Sequence, residues 1–259
     1  DGTVLEPHPV AEGHSQSEYI LEIVRQPNAN VVFGENWHSD FSFFGKSASY
    51  SVLRGVVMPC LGKNDTLFSN TADAFDALSP QMQNILLDLQ AYHSANKAYG
   101  EHHAGNSLAA MNDTSGSMRR VKEGKPKVLE NDVLQPVVIV HPRTGRKSLF
   151  VSPTFTTHIK DMNVDESKAL LKFLCDHIAK ARFCTRVSWS PNQITMWDNR
   201  TLVHKVLADD TSTCRKIHRC TVRGTAPVNH KGKSFSLTHT EPAAKGGLFE
   251  DVGLNGHNR

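Results

Sequence analysis

Short runs rich in β-branched and aromatic residues recur along the chain, at 19–24, 31–33, 51–58, 134–140, 147–151, 183–189, 193–197 and 216–222. Turn-forming stretches such as QPNAN at 26–30 and HPRTGR at 141–146 separate them, so each run predicts a short strand and 134–151 a hairpin. The run at 31–33 leads into a further β-favouring stretch, GENWHSDFSFF at 34–44, with 51–58 as its expected neighbour in a sheet. Two segments change to helical spacing. Residues 79–89 open on Ser79, a capping hydroxyl, and Pro80, suited to the first helical position, and carry Met82, Ile85, Leu86 and Leu89 on one stripe. Residues 164–183 place Asp165 and Glu166 near the start, Leu170, Leu171, Leu174 and Ile178 on one face, and Lys180 and Arg182 at the end, where each charge complements the helix dipole.

Many short strands, two covering helices and no strand–helix alternation predict a mostly β fold, a double-stranded β-helix (jelly roll) with flanking α-helices. No internal repeat is evident. Residues 93–132 lack periodicity and are dense in Gly, Asn, Ser, Lys and His; a loop of that length in a compact domain is functional or disordered. Its adjacent His102 and His103 read as solvated side chains, because neighbours in a loop rarely converge on a metal. From 225 the composition turns to Gly, Lys, His and Ser, which predicts an extended tail.

A chain of 259 residues with 39% apolar content is enough for one domain with a substantial core. Its 29 basic and 26 acidic residues leave a formal charge of +3, too small to indicate a nucleic-acid partner, and 7% aromatics supply little base-stacking surface. The five cysteines, at 60, 175, 184, 214 and 220, form no C-x-x-C pair, and their odd number argues against a complete disulfide framework. A reducing, cytoplasmic setting is the simplest expectation. No run approaches the roughly eighteen apolar residues needed to cross a bilayer, so no membrane partner is expected.

The candidate chemistry lies in 34–44. On a strand, residues two apart point to the same face, so the His38 imidazole and the Asp40 carboxylate would converge. Alone, such a pair is more often a simple hydrogen-bonded pair than a metal site. His204, in a distant strand-like run, offers a third ligand, and two histidines with one carboxylate form the facial triad that holds non-haem Fe(II) with open positions. Arg215 and Arg219 follow, four apart and so on one face of a strand.

With NWHSD (36–40), VIVHPRTG (138–145), FVSPTFTTHI (150–159), WDNR (197–200), His204 and RKIHR (215–219) in this order, the chain resembles the taurine dioxygenase family of Fe(II)- and 2-oxoglutarate-dependent oxygenases over about residues 5–227. The resemblance implies the same jelly roll, iron on His38, Asp40 and His204, and 2-oxoglutarate held by Thr66 and Arg215. The alternative for Thr66 is a cap on a helix over 70–78. His8, Phe155 and Arg219 would line the substrate, although His8 also reads as a loop histidine, Phe155 as core and Arg219 as a brace for the metal strands. The implied domain is 1–227, with 93–132 as a substrate lid and 228–259 as a tail; relatives carry several dozen residues before the His-x-Asp segment, which implies a preceding segment here.

The implied reaction is hydroxylation of an aliphatic C–H on a small anion, with dioxygen consumed and succinate and carbon dioxide released. Three departures argue against taurine itself: Gly34 replaces the asparagine of taurine-specific enzymes, Ala11 replaces a tyrosine, and Phe41 replaces a smaller apolar residue. A larger or more apolar anion is expected. An amino acid or natural-product scaffold as substrate, and a non-catalytic jelly roll that only binds its ligand, stay open, as does self-association.

Overall fold

A computed structural model describes residues 5–29, 32–99 and 130–235. The chain opens with β1 (Leu5–Glu6) and β2 (Ile20–Arg25), passes through the His38 segment without a regular strand, and continues as β3 (Ala48–Val57), β4 (Thr66–Asn70), α1 (Thr71–Asp76), α2 (Pro80–Leu86), β5 (Gln90–His93) and the single-turn α3 (Asn96–Tyr99). Beyond residue 130 come β6 (Val133–Pro136), β7 (Val138–Val140), β8 (Lys147–Leu149), β9 (Thr156–Ile159), α4 (Val164–Ile178), β10 (Cys184–Val187), β11 (Ile194–Asp198), β12 (Leu202–Val206) and β13 (Arg215–Arg223).

All pairings are antiparallel. In the main sheet β13 has β3 along one edge, β2 and then β1 along the other, and β11 lies beyond β3. A second sheet, β10–β4–β12, packs on it: Leu53 of β3 and Ile217 of β13 meet Phe68 of β4, with Trp189 and Trp197 between them. Two facing sheets of short antiparallel strands make the jelly roll. Outside them, β6–β5–β9 and the β7–β8 hairpin, expected about 141–146, share a core with the helices, where Phe75, Leu86, Leu171, Leu174 and Ile178 meet Val138, Leu149 and Ile159.

The helices start where their caps put them. Asn163 Oδ1 accepts from Glu166 N (2.9 Å) and the Glu166 carboxylate accepts from Asn163 N (3.1 Å), a reciprocal capping box that opens α4. The helix stops at Ile178, and 181–183 form a separate 3₁₀ turn rather than its last turn. Ser79 Oγ accepts from Met82 N (3.3 Å) at the start of α2, but Ile85 points to solvent and only Leu86 of that helix is buried. Asn70, not Thr66, caps α1: its Oδ1 accepts from Ala72 N and Asp73 N at 3.0 and 3.1 Å.

Other expectations shift. Val32 and Phe33 form no strand, and β3 pairs with β13 and β11 instead of the His38 segment. Residues 224–235 are irregular, as expected of a tail, but docked: Val140 N donates to Val228 O (2.9 Å) and Lys231 pairs with Asp88 (2.7 Å). His102, His103, most of the 93–132 loop and the tail beyond 235 lie outside the described residues. All five cysteines are free, and no described helix is long and apolar enough to cross a membrane.

One buried group makes the fold sensitive to acid. Beneath the His38 segment, His93 shares hydrogen bonds with Ser42 Oγ (3.0 Å) and Thr156 Oγ1 (3.3 Å) and stacks on Phe150. Burial, assisted by the nearby Lys97 charge, pushes its pKa down from 6.5 to about 3. Because the unfolded chain takes up this proton first, its stabilising contribution is complete above the unfolded pKa and falls by about 1.4 kcal/mol per pH unit below it. His93→Gln is expected to lose about 2 kcal/mol less than the parent between pH 7 and pH 5 in urea unfolding. Equal losses in the two proteins would contradict this.

Candidate metal centre

The site begins with a backbone contact. His38 N donates to His204 O (3.0 Å) and His204 N donates to His38 O (2.8 Å), an isolated antiparallel bridge that sets the two imidazoles side by side with ring centroids 4.2 Å apart. Immediately afterwards the chain turns, with Phe41 at φ +55°, so His38 and Asp40 meet at the mouth of a turn rather than along the expected strand. The Asp40 carboxylate comes back to the imidazoles: its Oδ1 is 3.7 Å from His38 Nε2 and 4.0 Å from His204 Nε2. Strand β12 holds His204 against β4, and its ring lies between Phe68 and Trp197.

A polar network fixes the carboxylate. Ser51 Oγ, on β3, donates to Asp40 Oδ2 (2.5 Å) and accepts from Asn199 Nδ2 (3.0 Å). Asn199 Oδ1 accepts from Trp197 Nε1 (2.9 Å) and from Asp40 N (3.3 Å), while Ser39 Oγ donates to Asn199 O (2.7 Å). His38 Nδ1 faces Asn36 O at 2.7 Å, which places its proton on Nδ1 and leaves the Nε2 lone pair directed toward Asp40.

Burial alone would raise the pKa of Asp40, but Arg219, His204, His38 and the Ser51 hydroxyl together hold it well below the usual carboxylate range. For His38 and His204 burial dominates and lowers both pKa values, so both rings are neutral at pH 7. Two neutral imidazoles and an ionised carboxylate, all buried, present three ligand atoms within 4.8 Å of one another. This N,N,O set fits a divalent transition metal with open positions.

The remaining expected residues fall around this group in different ways. The Arg219 Nη2 lies 3.0 Å from Asp40 Oδ1 without hydrogen-bond geometry, over the Phe41 ring, and its Nε donates to Thr221 Oγ1. Arg215, Ile217, Arg219 and Thr221 are the buried positions of β13, so both arginines share the inner face as their spacing requires. Among the described residues Arg215 has no ion pair, and burial, reinforced by Arg25 and opposed by Asp65, lowers its pKa to about 9. Thr66 is buried at the start of β4, where its hydroxyl accepts from Trp189 Nε1 (2.9 Å). His8 is buried edge-on to Phe41, its Nδ1 accepting from Ala11 N (3.0 Å), and Phe155 packs edge-on to His38 while belonging to the core with Phe43 and Tyr99. Nothing in the local sequence marks Ser51, which donates to Asp40, or Arg25, which faces Arg215. Asn199 sits inside the WDNR motif but needed coordinates to acquire a role.

Residues 8–221 match the family described as "Taurine catabolism dioxygenase TauD, TfdA family". The chain belongs to the TauD/TfdA family. A curated relative, the alpha-ketoglutarate-dependent 2,4-dichlorophenoxyacetate dioxygenase of Cupriavidus pinatubonensis, is 34% identical over 79% of this chain and 67% of its own length. Among solved structures, a taurine dioxygenase from Burkholderia xenovorans superposes with a TM-score of 0.71 at 26% identity, covering 92% of this chain and 74% of that one. AAD-2 in complex with Mn(II) and N-oxalylglycine gives 0.62 at 30% identity, covering 78% of this chain and 72% of that one. Two further curated relatives, the "Putative alpha-ketoglutarate-dependent sulfonate dioxygenase" of Schizosaccharomyces pombe and the "Alpha-ketoglutarate-dependent sulfonate dioxygenase" of Saccharomyces cerevisiae, are spanned over only 44% and 51% of their lengths.

Within this TauD/TfdA site the Ser51 hydroxyl is the one donor to Asp40 Oδ2 among the described residues. Its removal leaves a buried charged acceptor short of a partner, so Ser51→Ala is expected to lower unfolding stability by about 1–3 kcal/mol in urea titrations. A loss under about 0.5 kcal/mol, the level of a neutral surface change, would remove the hydroxyl from the network.

Proposed function

We propose that the chain is the catalytic jelly roll of an Fe(II)- and 2-oxoglutarate-dependent dioxygenase that hydroxylates an aliphatic C–H of a small anionic substrate and releases succinate and carbon dioxide. The convergence of His38, Asp40 and His204, two neutral imidazoles and one carboxylate, carries this reading. These three would hold Fe(II), which with 2-oxoglutarate supplies the activation of dioxygen that the reaction needs. Asn36 O and the Ser51–Asn199 pair keep the ligands oriented, as outer partners of metal ligands do.

Arg215 would take the far carboxylate of 2-oxoglutarate, because a buried guanidinium without an ion pair among the described residues is a ready bidentate anion site. The Thr66 hydroxyl already accepts from Trp189, so its own proton is available to donate to a carboxylate oxygen. Arg219, attracted to Asp40 but not hydrogen-bonded to it, can turn its N–H groups to a substrate anion, with His8 against the Phe41 ring and Phe155 against His38 as the proposed neighbours of that anion. The relatives named for 2,4-dichlorophenoxyacetate and for taurine both imply an acid group on the substrate. Two of the three departures lie beside the proposed metal ligands: Gly34, at φ +82°, next to the His38 ring, and Phe41, whose aromatic face lies under Arg219. Both favour a larger, more apolar anion than taurine. Five free cysteines support a cytoplasmic setting.

Purified protein supplied with Fe(II), ascorbate and 2-oxoglutarate is expected to release succinate, with the rate rising for one class in a panel of aryloxyacetates, sulfonates, sulfate esters and amino acids. Asp40→Ala should reduce release to background. Arg215→Met should raise the KM for 2-oxoglutarate about 10- to 100-fold, since a hydrogen bond to a charged group contributes about 1.5–3 kcal/mol. Undiminished release from Asp40→Ala, or no release from a parent protein that binds Fe(II) and 2-oxoglutarate, would refute the assignment.

A further inference from the structure

We propose that His14, Glu22 and His218 form a second divalent-metal site, of the Zn(II) type, on the outer face of the main sheet. Glu22 and His218 are direct partners in the β2–β13 ladder, so their side chains rise together from one face. On β13 the buried positions 215, 217 and 219 alternate with the partly exposed 216, 218 and 220, which puts this pair opposite the arginines. His14 arrives from a tight turn that closes onto the start of β2, with Ser17 N donating to His14 O (2.9 Å) and His14 N to Ile20 O (2.6 Å).

The three groups meet on one oxygen. Glu22 Oε2 is 3.2 Å from His218 Nε2 and 3.8 Å from His14 Nε2, and the two rings are 5.3 Å apart at 60°. Zinc bonds of about 2.0–2.2 Å in tetrahedral geometry require ligand atoms about 3.3–3.6 Å apart, and these two separations bracket that range. The corresponding distances at the inner site, 3.7 and 4.0 Å, are no tighter. Glu22 is only 5% exposed although it lies on the outer face, with the two imidazoles and the Lys216 ammonium around its carboxylate. Two nitrogens and one carboxylate oxygen suit Zn(II) and leave a fourth position for water.

Among the described residues, contacts of Glu22 and His14 would give way to the metal. Lys216 Nζ is 2.5 Å from Glu22 Oε2, and a divalent ion would displace this half-exposed ammonium to solvent. His14 Nδ1 accepts from Gln16 N (3.2 Å, exposed), and ligation through Nε2 moves the ring proton to Nδ1 and ends that bond. Once filled, the site would clamp the 14–17 turn, β2 and β13 together. It is independent of the proposed reaction.

The test uses the full chain carrying His38→Ala and Asp40→Ala, so that the inner site is removed, and follows Co(II) through its visible d–d absorption with Zn(II) as competitor. One equivalent of Co(II) is expected to bind and to raise the unfolding temperature. His14→Ala, Glu22→Gln or His218→Ala should each weaken binding at least about tenfold, and Lys216→Met should tighten it by removing the competing cation. The His14 substitution, in a loop, guards against a Glu22 variant that fails to fold. Absence of saturable binding below about 0.1 mM, or affinity unchanged in His14→Ala and His218→Ala, would overturn the proposal.

Discussion

Two backbone hydrogen bonds between residue 38 and residue 204 hold the His38, Asp40 and His204 cluster together. They join a segment near the start of the chain to a strand near its end, and no side-chain chemistry is involved in forming them. Everything at the centre follows from that bridge: the neighbouring imidazoles, the turn that returns Asp40 to them, and the Ser51–Asn199 network that holds the carboxylate. A bridge has little strength of its own, so its position depends on the strands around it. β12 is held by β4, and β3, which carries Ser51, is held by β13 and β11.

The interior then has to accommodate charge. Asp40 is balanced by Arg219 at 3.0 Å, whereas Arg215 stands directly across the β13–β2 ladder from Arg25, and both guanidiniums are buried. Like charges in facing positions of a sheet are unfavourable, and burial adds to the penalty. Arg25 donates through its two terminal nitrogens to Asn64 Oδ1 and Thr213 O, while Arg215 has no ion pair among the described residues. The proposed dianionic cosubstrate at Arg215 would offset this penalty, and a local loss of stability of that kind is common at functional sites.

Much of this was legible in the sequence because it rests on local rules. Ser79 with Pro80, and Asp165 with Glu166, mark helix starts through capping chemistry confined to one turn, and the leucines of 170–178 mark the buried face. His38, Asp40, His204, Arg215 and Arg219 could be singled out because ligand type and strand periodicity are readable from spacing, and a family resemblance supplied the pairing of distant segments. What could not be read depended on tertiary placement. The positive φ of Phe41 converts an apparent strand into a bridge and a turn, and Ser51 looks like any other serine until β3 brings it beneath Asp40. Asn70 took the cap considered for Thr66, whose hydroxyl a tryptophan 123 residues away engages instead.

The most direct test is anomalous diffraction from crystals soaked with Mn(II), a redox-stable stand-in for Fe(II). The expected result is a peak bound by His38 Nε2, Asp40 Oδ1 and His204 Nε2, each at roughly 2.0–2.3 Å, with Arg219 drawn away from Asp40. A metal held by other side chains, or one that leaves His204 unligated, would contradict it.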